Sequence, residues 1–184
     1  TQTAAVPHDV VVEADVKLDL GASGSFLAAS QGAGHVHVAG QIRAAGGQIA
    51  VEAGQARTNV TGEGNATGAG TGSVTVASTA VLDVSGGAGP SGAQADGGQI
   101  SVKAGQSVAI ESGALLDVSA AMVRSTSQGR IKGKAGAIQV QVNTTVPAGV
   151  PEDTVIGSLR LGGTLRGHDF SAGGSLTLGG MRAL

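Results

Sequence analysis

Chemistry on this 184-residue chain would have to come from four histidines, thirteen carboxylates and its hydroxyls, because cysteine, tryptophan and tyrosine are all absent. His35 and His37 lie two apart in GHVHVAG. On a strand whose Val36 and Val38 face inward, both imidazoles project outward about 7 Å apart and would chelate Zn²⁺ if a neighbouring segment gave a third ligand. The plainer reading is two exposed polar residues on an outer strand. Asp83 and Asp117 hold the same place in two copies of LDVS. Paired carboxylates on one sheet suit the acid–base cleavage of polysaccharides. Sugar enzymes normally also offer aromatic platforms, however, and an Asp after a short strand more often caps backbone N–H groups at a turn.

Three further motifs weaken on inspection. His168 and Asp169 in RGHDF are adjacent, so on a strand they would point to opposite faces. They read as a turn, with Phe170 packed inward or covering an end. GEGNATG (62–68) has Thr67 where a nucleotide loop needs its third glycine, and no helical pattern follows. GGAGPS (86–91) has Ser91 where a calcium-binding nonapeptide wants Asp, and no tandem copy follows. The residues therefore predict no catalytic, cofactor or metal site.

The elements that would position these groups are clearer than the groups themselves. Ile100/Val102, Val108/Ile110 and Leu116/Val118 are apolar pairs at a spacing of eight. Within a pair the residues are two apart, so both face one way. Ala-Gly-Gln and Ser-Gly-Ala separate the pairs as short turns. Strand, corner, strand, corner, strand makes one triangular coil of a β-solenoid, which must stack on copies of itself to bury its inner face. Copies exist: GGQIAVEAG (46–54) returns as GGQISVKAG (97–105), and GSLRLGG (157–163) as GSLTLGG (174–180).

Short strands are predicted at 36–38, 42–44, 49–51, 58–61, 73–76, 81–85, 99–103, 107–111, 115–118, 137–142, 158–161, 164–166 and 175–178. Residues 62–72, 86–98 and 119–136 read as loops, and VPAGVPED (146–153) as a break in the ladder. Residues 10–20, VVVEADVKLDL, alternate strictly and predict one long strand. The chain then divides into an N-terminal long strand, cap or linking segment (1–29) and a β-solenoid of five or six coils (30–184).

Composition agrees. Glycine contributes 33 residues, well over twice the usual ~7%, without the three-residue period of collagen. No segment sustains a helical period, so the class is all-β. A net charge of −2 and two aromatic residues, Phe26 and Phe170, argue against nucleic-acid binding. No apolar run approaches the roughly 20 residues of a membrane-spanning helix. The opening TQTAAVPHD reads as a mature or excised piece. Absence of cysteine suits export in an extended state.

GGQISVKAGQSVAIESGALLDVSA, the other LDVS copy in LDVSGG (82–87) and the closing RGHDFSAGGSLTLGGMRAL together resemble the central repeats of the filamentous haemagglutinin family, large exoproteins of Gram-negative bacteria. The resemblance covers most of residues 30–184. It implies a right-handed parallel β-helix and two-partner secretion of the parent protein through an outer-membrane transporter. It also implies an extracellular or cell-surface role in adhesion, biofilm or cell contact. The Asn-Pro-Asn motifs of that family's secretion domain are missing, so the piece corresponds to the shaft. The expected function is a structural segment without catalysis, able to associate head-to-tail into filaments. The alternative is a glycan- or receptor-binding module facing a host or neighbouring cell, and a β-helix polysaccharide enzyme is a distant third.

Overall fold

The computed structural model describes residues 8–55, 71–89, 92–125, 129–145, 157–170 and 173–183. Among them there is no helix. The chain passes five times through the same sequence of three strands. The first round is β1 (Val10–Val12), β2 (Lys17–Asp19) and β3 (Ser25–Gln31). The second is β4 (Val36–Val38), β5 (Gln41–Arg43) and β6 (Gln48–Gln55). The third holds β7 (Ser73–Val76), β8 (Val81–Asp83), a hairpin of β9 (Gly87–Gly89) and β10 (Gly92–Gln94), and β11 (Gln99–Ala104). The fourth repeats that plan with β12 (Ser107–Ile110), β13 (Leu115–Asp117), the hairpin β14 (Met122–Ser125) and β15 (Gly129–Lys132), and β16 (Ala137–Thr145). The fifth is β17 (Ser158–Leu161), β18 (Thr164–Arg166) and β19 (Ser175–Ala183).

Strands holding the same place in successive rounds pair in parallel, giving three five-stranded sheets. Sheet A is β1-β4-β7-β12-β17, sheet B β2-β5-β8-β13-β18 and sheet C β3-β6-β11-β16-β19. Register follows the apolar pattern. In sheet C, Phe26, Ile49, Ile100, Ile138 and Leu176 fall in one column. In sheet B the column is Leu18, Ile42, Leu82, Leu116 and Leu165. A slip of one residue would turn every inward side chain out, so burial on one face fixes the register. The inward residues of all three sheets join one core in which Ile49, Leu82, Ile100 and Leu116 are fully buried. Each contributes about 1.5–3 kcal/mol by leaving water.

Glycine sets the corner before sheet C. Gly24, Gly47, Gly98, Gly136 and Gly174 stack there, and a Cβ on Gly47, Gly98 or Gly136 would collide with the carbonyl oxygen of the glycine one round earlier. The same carbonyls accept the ladder bonds: Gln48, Gln99 and Ala137 N–H donate to Gly24, Gly47 and Gly98 oxygens at 2.9, 2.9 and 3.0 Å. Rounds can approach to strand-pairing distance at this corner only without side chains. The repeated Gly-Gly-Gln-Ile phrase records that requirement.

Several expectations need correction. Residues 10–20 are two strands of different sheets, with Ala14 and Asp15 in the turn between them and Val16 N–H donating to Glu13 O at 3.1 Å. The alternation ran unbroken through a corner because the corner residues happened to keep the period. β3 was missed because its second and third inward positions are Ala28 and Ser30, which carry little hydrophobic contrast. The stretches read as loops at 86–98 and 119–136 contain the two antiparallel hairpins. Phe170 does not pack inward: it is 47% exposed. The strand predicted at 58–61, the GEGNATG loop and VPAGVPED lie outside the described residues, as do Pro90 and Ser91 of GGAGPS.

Candidate functional site

A column of charged groups lies on the outer face of sheet B. The last residues of its five strands, Asp19, Arg43, Asp83, Asp117 and Arg166, occupy one register position. Parallel pairing spaces them by about 4.8 Å per strand. Both candidate acids are therefore direct neighbours in the ladder.

Asp83 and Asp117 are each engaged through both carboxylate oxygens. Asp83 Oδ1 accepts from Ser85 N at 2.9 Å and from Ser85 Oγ at 2.5 Å, and Asp117 Oδ1 accepts from Ser119 N at 2.9 Å. Asp19 makes the same turn with Gly21 N at 3.0 Å. The other oxygens face arginines: Arg43 Nε is 3.6 Å from Asp83 Oδ2, and Arg166 Nη1 is 4.0 Å from Asp117 Oδ2. An arginine on the outer side of each acid offsets the repulsion between two adjacent carboxylates. The arginine side chains are 43% and 51% exposed, so each pair contributes at most about 1 kcal/mol. The column closes turns and balances charge.

A shallow groove of about 260 Å³ crosses the first three strands of this sheet, lined by Lys17, Asp19, Gln41, Arg43, Val81 and Asp83. A second trough runs down the glycine corner past Gly47, Gly98 and Gly136. Its floor is backbone whose carbonyls are spent in the ladder.

The histidines do not converge. His35 precedes β4 and its Nδ1 accepts from Ser73 N at 3.1 Å, one round on. Its own N–H donates to Asp9 Oδ1 at 2.7 Å. His37 sits in β4 between Val11 and Thr75. Among the described residues no group of three His, Cys, Asp or Glu side chains could hold a metal ion. In RGHDF, His168 joins the corner ladder through its backbone, with Ala120 N–H donating to its oxygen at 2.7 Å. The Phe170 ring receives Lys132 Nζ at 5.8 Å from its centroid. That cation–π contact ties the fifth-round corner to the β14–β15 hairpin.

The two hairpins form a lateral platform. Both leave the corner between sheets B and C, in consecutive rounds, and Ala121 N–H donates to Ala95 O at 2.8 Å between their bases. Lys134 N–H bonds Asp96 Oδ1 at 2.8 Å. Residues 122–134 include Arg124, Arg130, Lys132 and Lys134, and 118–151 contain no acid. Arg130, Lys132 and Lys134 are exposed. Basic residues are thus concentrated on this platform, which the sequence reading did not single out.

That reading also missed Arg43 and Arg166, the partners of its two acids. The signal was present in QIR, VLD, LLD and TLR, which align once the strand copies are stacked. Comparison of the chain with family models, with curated proteins and with solved structures finds no match.

Proposed function

We propose that the three sheets are the walls of a right-handed parallel β-helix with roughly triangular coils. We further propose that the chain is a structural segment of a secreted bacterial surface exoprotein or adhesin. It forms part of an extended shaft serving adhesion, biofilm or cell contact, without catalysis. The parent protein would leave a Gram-negative cell through a two-partner-secretion transporter, as the resemblance to filamentous haemagglutinins implies. The observation that carries this reading is the fivefold passage through three sheets with parallel, in-register columns. Right-handedness follows from the strong bias of parallel crossover connections. The carboxylates engaged in turns and ion pairs favour a mechanical role over a chemical one.

Antibody labelling of intact source cells tests the surface assignment. Staining without permeabilisation is expected, and staining only after permeabilisation would contradict it.

A second reading, a glycan- or receptor-binding module, is favoured by the paired hairpins and their exposed basic residues. A glycan and receptor array probed with the intact chain and with one lacking residues 122–132 separates the two. Signal lost on deletion supports the binding module, and no signal from either protein supports the shaft.

A further inference from the structure

Asparagine is rare in this chain, and its three positions share one feature. Asn59-Val60-Thr61, Asn65-Ala66-Thr67 and Asn143-Thr144-Thr145 each place a threonine two residues on, with no proline between. Serine and threonine together supply 30 of the 184 residues, about one in six. Three hydroxyls out of three at that spacing is well above what composition gives.

The fold does not use asparagine in its usual structural places. Asn serves turns by bonding nearby backbone N–H groups and by tolerating a left-handed backbone. Here the turns that follow the sheet B strands are closed by Asp19, Asp83 and Asp117. Among the described residues, the left-handed positions are glycines apart from Ser23 at φ 57°. Asn143 instead lies within β16, and strands are depleted in asparagine.

Topology gathers the three at one edge. Val140 and Val142 are buried in the core, so Asn143 and Thr145 hold outward register positions, two apart on one face of β16. In the ladder they pair with Met181 and Ala183. Asn59 and Asn65 lie outside the described residues, and chain order puts them between β6 and β7. All three therefore belong to passages from sheet C to sheet A, in the second and fourth rounds. In the third round that passage is only Gly105 and Gln106, and it carries no asparagine. Both rounds have a neighbour on either side. The edge is lateral, so rounds added before the first or after the fifth would not cover it.

We propose that Asn59, Asn65 and Asn143 are acceptors for N-linked sugar, carried along the edge between sheets C and A. Asn-x-Ser/Thr is the acceptor pattern for that modification. The co-reactant is a sugar activated at its anomeric carbon by a diphosphate, delivered by a glycosyltransferase. The asparagine amide nitrogen bonds the anomeric carbon and gives up one proton. The anomeric C–O bond breaks, and the diphosphate leaves with its electron pair. No group is oxidised or reduced. The inference goes beyond the shaft reading and concerns a different edge from the one that carries the basic hairpins.

The test is site-localised mass spectrometry of peptides from the protein purified from its source cells. Whole-sugar mass increments are expected on the peptides containing Asn59, Asn65 and Asn143. The same chain made in a host without an asparagine glycosyltransferase should carry none. In source cells, Thr145→Ala should abolish the increment at Asn143 and Thr145→Ser should keep it, a split that a purely structural threonine would not produce. Unmodified asparagine at all three positions would overturn the proposal. Sugar confined to serine and threonine, or an increment at Asn143 that survives Thr145→Ala, would overturn it equally. Any of these results leaves the shaft reading standing, since that reading falls instead on the cell-labelling result.

Discussion

At the scale of single residues, space decides more than charge. A methyl group on Gly98 meets the Gly47 carbonyl, which is itself a ladder acceptor. Gly98→Ala is therefore expected to cost about 1–3 kcal/mol or more, because neither backbone can yield without breaking the other's bond. Gly180→Ala, with nothing within 4 Å of the added carbon, should stay within about 0.5 kcal/mol. Urea unfolding of the two variants checks the contrast. Ile100→Ala, at a site with 0% exposure, should lose about 2–5 kcal/mol. The acids behave differently. Asp83→Asn keeps an oxygen for the Ser85 turn and loses only an exposed ion pair, so its cost should stay below about 1 kcal/mol. Asp83→Ala gives up the turn as well and should be the more destabilised of the two. Catalytic turnover on a polysaccharide panel that disappears in Asp83→Asn would refute the non-catalytic role.

At the scale of elements, what the sequence revealed depended on hydrophobic contrast. Strands such as β7 and β12 were legible because Val and Ile sit two apart, separated by a small residue. Where Ala and Ser occupy the inward places, as in β3, the same geometry leaves almost no trace. The β9–β10 hairpin is built of Gly, Ala and Gln, so its pairing rests on backbone bonds that no periodicity announces. Over residues 10–20 the error ran the other way, since alternation persisted through a turn that only stacking imposes. The charged column was half legible: LDVS repeated its acids, while the arginines became visible once strands of different composition were set in register. The β14–β15 hairpin lies outside the core columns, and Gly133 N–H bonds Ala121 O at its base at 3.0 Å. Replacing residues 122–132 by a short Gly-Ser link should therefore leave the unfolding midpoint nearly unchanged.

At the scale of the whole molecule, the strands of each round pair, among the described residues, with those of the rounds beside it, so stability approximates a sum over neighbouring interfaces. The end rounds have one interface and the middle rounds two. Amide hydrogen exchange should accordingly be slowest in β7, β8, β11, β12 and β13 and faster in β1, β2, β17 and β18. Uniform protection would speak against the one-dimensional account. The most direct test of stacked, in-register rounds is a set of pairwise distances down one column. Leu27, Ala50, Ser101, Gln139 and Thr177 share an outward position in sheet C although they are far apart in sequence. With no native cysteine to interfere, spin labels can be placed at Leu27 and at each of the others in turn. Separations should lengthen by about 4.8 Å per round, reaching about 19 Å between Leu27 and Thr177. Distances that fail to rise evenly with round number would contradict the stack.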